Sequence, residues 1–291
     1  MRDGTIRADD GREIGYSDSG GPLRRGVLWC HGGPGSRLDP GRHEQEITAL
    51  GLRLVAVDRP GYGLSQPRPG RTIADWVPDA LAVADHLGLD ELITVGVSTG
   101  GAYALAVGAL APERTVGVIP TCSLTDMRYA PARATVSVPH AVSVWDAPDR
   151  PSAIAAAIES HGLDGSRIFG PHPGHALPEL PAADLALIAD PTWMAGLQAS
   201  GAAMFAWGLE GYADDRIADG GGWTTFDPGA ITCPVVVLHG AADVITDPIH
   251  ARHTADVVPT ATLDLVAEMG HFSIEQHIPR AIEEVLSAPG A

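Results

Sequence analysis

The apolar positions of this chain fall into short, unbroken runs. "RGVLWCHG" (25–32), "LRLVAVDR" (52–59), "ELITVGVS" (91–98) and "TVGVIPTCS" (115–123) are rich in Val, Ile and Leu, and each stops at a Gly, Pro, Ser or Asp. Runs of this kind predict strands buried on both faces of a parallel sheet. Between them, "IADWVPDALAVADHLG" (73–88) and "TGGAYALAVGALAPE" (99–113) predict helices. The opening "TIRADDGREIGYSDSG" alternates around a D-D-G turn and predicts an edge hairpin.

The rhythm changes between Leu124 and Phe226. Prolines become frequent, helical patches such as "ADLALIAD" are short, and no strand–helix alternation is visible. The strand pattern then returns with "CPVVVLHG" (233–240), a helical "PIHARHTADVV" (248–258), "ATLDLVAEMGH" (261–271) and a last helix, "IPRAIEEVLSA" (278–288). The simplest reading is an α/β core made of residues 1–123 and 227–291. It has a mostly parallel sheet with helices on both faces, and a helical cap or lid, residues 124–226, is inserted into it.

Composition narrows the function. The 291 residues carry a formal net charge of -17, which disfavours nucleic-acid and membrane-surface binding and leaves a small-molecule substrate as the expected partner. No segment is apolar for long enough to span a bilayer, and the N-terminal residues contain no apolar stretch typical of a secretion signal. The chain has 3 cysteines, Cys30, Cys122 and Cys233, without paired spacing. That argues against disulfides or a zinc site and for the cytoplasm. All 19 basic residues are arginine, so a lysine Schiff base and a P-loop lysine are both excluded. Oligomeric state is not legible.

"VGVSTGG" (95–101) carries the clearest chemistry. Ser98 stands between an apolar run and an alanine-rich one, with Gly96 and Gly100 flanking it. A strand that turns into a helix within one residue leaves no room for side chains at those two positions, and it holds the serine at the tip. A serine needs a base to take its proton and an acid to orient that base. His271 in "EMGHFS" and Asp243 in "HGAADVITD" both follow strands, in the chain order Ser, Asp, His. Asp247 is the competing acid, and Asp58 precedes the serine and fits a turn-bonding role better. His239 reads as a packed residue. His172 and His175 in "PHPGH" lack a third ligand, so no metal and no cofactor are expected. The developing oxyanion needs donors: the N–H of Thr99, and that of Gly33 in "HGGPGS" (31–36), with Gly32 as the alternative.

Taken together, "HGGPG", "DRPGYGLS", "GVSTGG", "HGAAD" and "GHF" resemble the α/β-hydrolase superfamily over essentially the whole chain. The resemblance implies the triad Ser98–Asp243–His271. The expected activity is hydrolysis of a small or medium carboxylic ester, thioester or lactone through an acyl-enzyme on Ser98. "HGGPG" is also similar to the proline iminopeptidase branch, which implies an aminopeptidase alternative, with Glu210, Asp214 and Asp215 of "LEGYADD" as candidates to hold a substrate amine. That branch typically has tryptophan after the nucleophile, whereas Thr99 stands here. A lyase or cofactor-independent oxygenase on the same scaffold is a further alternative, as is a ligand receptor with negligible turnover. Trp193, Met194, Met204, Phe205 and Trp207 are candidates to line the pocket or to form the core of the cap.

Overall fold

A computed structural model describes residues 1–136, 144–161 and 179–288. The strands are β1 (Arg2–Arg7), β2 (Glu13–Asp18), β3 (Arg25–Cys30), β4 (Arg53–Val57), β5 (Glu91–Val97), β6 (Thr115–Thr121), β7 (Val235–Gly240) and β8 (Ala261–Val266). They form one 8-stranded sheet in the order β1-β2-β4-β3-β5-β6-β7-β8. The N-terminal hairpin is antiparallel, as is its junction with β4, and every other pair is parallel. This is the α/β fold that the apolar runs predict, with an edge hairpin.

The sheet is buried on both faces because successive side chains supply both. In β3, Leu28 and Cys30 enter one apolar cluster while Val27 and Trp29 enter the other, and in β4 Val55 and Val57 oppose Leu54 and Ala56. The first cluster is closed by helices α2 (Val77–His86), α3 (Gly100–Leu110) and α9 (Ile249–Val257). The second is closed by α1 (Glu44–Ala49) and α10 (Ile278–Ser287). Residues Gly100 to Ala109 of α3 are all buried, which explains a helical sequence with no polar face.

Among the described residues, five α-helices lie between β6 and β7: α4 (Ala130–Arg133), α5 (Arg150–His161), α6 (Ala182–Ile188), α7 (Pro191–Met204) and α8 (Glu210–Gly220). Part of this segment has its own apolar cluster, in which Val144, Ala153 and Ala157 pack on Leu209, Tyr212 and Ala213. Asp190 caps α7 by accepting from the N–H groups of Thr192 (2.7 Å) and Trp193 (3.3 Å). Cys30, Cys122 and Cys233 are buried and free. No helix of the described residues is long and apolar enough to cross a membrane.

Candidate active site

Parallel strands end on one edge of the sheet, and the chemistry-bearing residues gather there. Ser98 immediately follows β5 and precedes α3 with φ 53°, a left-handed conformation that costs a non-glycine residue about 1–3 kcal/mol. The neighbouring glycines explain how it is tolerated. A side-chain carbon at Gly96 would stand 2.3 Å from the Gly100 carbonyl oxygen, and one at Gly100 would stand 2.0 Å from that of Cys30. The turn therefore leaves no room for a side chain at either glycine. The N–H of Ser98 donates to the Thr121 carbonyl (2.9 Å), which ties the turn to β6.

Asp243 follows β7 and His271 follows β8. Nδ1 of His271 lies 2.8 Å from Oδ2 of Asp243. The other carboxylate oxygen accepts from the N–H groups of Ile245 (2.8 Å) and Thr246 (2.9 Å), so the acid is fixed in place. Burial would raise the Asp243 pKa, but the facing His271 and these donors outweigh it and hold the carboxyl below its ordinary value. An ionised carboxylate can only accept, so Nδ1 carries the proton and Nε2 is left as the basic nitrogen. Burial would lower the His271 pKa. The Asp243 charge outweighs that and raises it above the ordinary 6.5.

Asp247 instead accepts from the N–H of Ile249 (2.8 Å). Asp58 accepts from the N–H groups of Arg37 (2.7 Å) and Leu64 (2.9 Å), a turn-bonding role. His239 is buried, with Nε2 2.9 Å from the Thr246 carbonyl oxygen. His172 and His175 lie outside the described residues. Among the described residues no group of His, Cys, Asp and Glu has the arrangement of a metal site.

Ser98 and His271 line one solvent-open cavity of ≈ 150 Å³, together with Gly32, Gly33 and Pro34 of the "HGGPG" loop. The Ser98 hydroxyl has no hydrogen-bond partner among the described residues. The N–H groups of Gly33 and Thr99 donate to nothing else there. Of the candidate lining residues, Trp193 and Met204 reach the cavity, beside Trp29, Val97, Leu197 and Ile245. Phe205 packs against the apolar cluster of the inserted segment, and Trp207 donates from its indole to the Gly63 carbonyl (3.1 Å).

Several residues of the site carry no sequence signal. Asp184 of α6 is fully buried, and its carboxylate accepts from the N–H groups of His271 (2.9 Å), Phe272 (3.2 Å) and Ser273 (2.8 Å) and from the Ser273 hydroxyl (2.6 Å). The inserted segment thus holds the loop that presents the histidine. His31, which opens the "HGGPG" motif, is fully buried as well. Its Nε2 accepts from the N–H of Arg59 (3.0 Å), so Nδ1 carries the proton and donates to the Gly32 carbonyl (2.8 Å). Burial pushes the His31 pKa well down, so the ring stays neutral. Asp39 and Glu275 line the cavity as well. Glu275 accepts from Arg42, and although burial opposes ionisation, the guanidinium brings its pKa down to about 2. Burial, reinforced by the charge of the nearby Glu275, pushes the Asp39 carboxyl up to about 6.

The acids of "LEGYADD" lie elsewhere. Asp215 is fully buried between Arg59 and Arg71, and Glu210 and Asp214 both face Arg150 at 3.0 Å. None of the three is among the cavity-lining residues.

Sequence comparison matches residues 27–286 to the Alpha/beta hydrolase family. The chain belongs to that family. Among its relatives is a non-heme haloperoxidase of Rhodococcus erythropolis, 27% identical over 275 residues, 91% of this chain and 92% of that protein. Proline iminopeptidase of Neisseria meningitidis is 30% identical over 122 residues, 40% of this chain but only 38% of the peptidase. The match thus spans well under half of that enzyme's length. In three dimensions this α/β-hydrolase resembles a thermophilic esterase from Thermogutta terrifontis (TM-score 0.69, 22% identity, 98% of each chain). It also resembles the enol-lactonase from Burkholderia xenovorans (TM-score 0.69, 18% identity, 98% of this chain and 100% of the other). At these identities the structural likeness establishes the shared fold.

Proposed function

We propose that this α/β-hydrolase cleaves a small or medium carboxylic ester, thioester or lactone through an acyl-enzyme on Ser98. The observation that carries the reading is the oriented imidazole: Nδ1 of His271 at 2.8 Å from Asp243, with Ser98 on the wall of the same cavity. In the first step Nε2 of His271 takes the Ser98 proton as the oxygen attacks the substrate carbonyl. The contact between hydroxyl and base is commonly long before substrate binds and tightens in the complex. The negative charge that forms on the carbonyl oxygen is met by the free N–H groups of Thr99 and Gly33. His271 then returns the proton to the leaving alcohol or thiol, and water repeats the sequence to release the acid.

In this reading residues 124–226 are the cap over the site, and Trp193, Leu197 and Met204 give the acyl or alcohol pocket its apolar wall. The three free thiols are in keeping with a reducing compartment, the cytoplasm. The aminopeptidase alternative needs unpaired carboxylates beside the nucleophile. Its candidates, Glu210, Asp214 and Asp215, are tied to arginines, and Glu275 on the cavity wall is neutralised by Arg42. A panel of p-nitrophenyl esters, thioesters, lactones and a prolyl amide tests the choice. The expected result is saturable turnover of an ester, thioester or lactone, with a burst equal to the enzyme concentration where deacylation is slow. Turnover of the prolyl amide above every ester would overturn the reading.

A further inference from the structure

The two proposed oxyanion donors come from distant parts of the chain, and one helix of the inserted segment reaches both. Asp215 and Arg216 are consecutive residues of α8. Oδ2 of Asp215 accepts from Nη2 of Arg59 (2.8 Å) and from the Tyr62 hydroxyl (2.8 Å), and Oδ1 accepts from the Tyr103 hydroxyl (2.9 Å) and from Arg71. Burial would raise the Asp215 pKa. The Arg59 and Arg71 guanidiniums override this and keep it well below the usual carboxylate range. Arg59, so held, donates from Nη1 to the His31 carbonyl and from Nη2 to the Gly32 carbonyl (2.6 Å). The Gly32–Gly33 peptide is trans, so fixing its carbonyl on the Arg59 side aims the Gly33 N–H the opposite way.

Arg216 takes the other half. Its Nη2 donates to the Thr99 hydroxyl oxygen and lies 2.8 Å from Asp219. A side-chain carbon added at Gly33 would stand 2.6 Å from that nitrogen and 2.6 Å from the Thr99 oxygen, so Gly33, Thr99 and Arg216 meet at one point. Arg216 is buried and is not among the cavity-lining residues. It acts on the substrate only through its neighbours.

We infer that α8 sets the geometry of the oxyanion hole, Asp215 through Arg59 and the Gly32–Gly33 peptide, Arg216 through Thr99. Both arginines are positioning residues. The inference rests on the serine-hydrolase reading. It makes the inserted segment a structural part of the catalytic apparatus, and it accounts for threonine after the nucleophile: its hydroxyl is an acceptor for Arg216.

The test avoids Asp215, whose removal would strand two buried guanidiniums and threaten the fold. Thr99→Val is isosteric and leaves every ion pair intact, and the double variant Arg216→Met/Asp219→Asn removes both members of one pair. With an ester substrate, each is expected to lower kcat by about 10- to 100-fold, with KM changed less than about threefold, because a misplaced donor matters only when the oxyanion forms. Adding Thr99→Val to the double variant is expected to cost nothing further, since the contact is already lost. Arg216→Lys is expected to recover part of the loss. Unchanged kcat in Thr99→Val, or additive losses in the triple variant, would overturn the clamp while leaving the hydrolase reading intact. Wild-type protein that neither turns over an ester nor reacts at Ser98 with a fluorophosphonate would overturn the reading and this inference with it.

Discussion

Ser98→Ala is expected to lower kcat on an ester substrate by about a million-fold, the scale seen when a triad nucleophile is removed. The change is chemically clean. The hydroxyl has no partner among the described residues, so its loss leaves no buried donor or acceptor unsatisfied, and alanine occupies the same backbone position with the same φ of 53°. Stability is expected to stay within about 0.5 kcal/mol of the parent. Steady-state kinetics beside a thermal melt separates chemistry from folding. A folded Ser98→Ala protein that keeps most of its activity would mean that no acyl-enzyme forms. It would point to His271 and Asp243 acting as a simple base, which is the lyase or oxygenase alternative.

Asp243→Asn is expected to lower kcat by about ten-thousand-fold through the tautomer of His271. The asparagine oxygen can still accept from Ile245 and Thr246, so the turn survives. Its amide then presents N–H to Nδ1. Nδ1 becomes the acceptor, the proton moves to Nε2, and the nitrogen proposed to take the Ser98 proton is no longer a base. The pH profile carries a second signature. Only neutral His271 accepts the serine proton, so kcat/KM falls as pH drops through its pKa. In the parent, Asp243 raises that pKa, so the acid limb should have its midpoint above 6.5. Without the carboxylate charge, burial dominates, and the residual activity of Asp243→Asn should have its midpoint at lower pH. A profile whose acid limb does not move would show that the carboxylate does not govern the base.

What the sequence made legible is what local pattern encodes. Strands buried on both faces read as unbroken apolar runs, and the residues at their C-terminal ends share one sheet edge, which brings Ser98, Asp243 and His271 within reach of each other on paper. The glycines around Ser98 mark a steric constraint that acts over a few residues. Contacts between distant segments left no such trace. Asp184 meets the N–H of His271 across 87 positions, and Asp215 meets Arg59 across 156. Nothing in "PAADLALIAD" distinguishes Asp184 from a surface acid. "LEGYADD" suggested a subsite for a substrate amine, because a cluster of acids carries no record of the arginines that fold against it. The pocket wall was half legible for the same reason: Trp193 and Met204 face the cavity, while Phe205 and Trp207 are drawn into the inserted segment and the Gly63 loop.

The most direct measurement is the reaction of the purified protein with a fluorophosphonate, followed by peptide mass mapping, with His271→Ala as the control. A single adduct on Ser98 that disappears in the control is the predicted result, since only a serine deprotonated by His271 attacks the phosphorus. A folded parent protein that forms no adduct, or forms one elsewhere, would contradict the covalent mechanism.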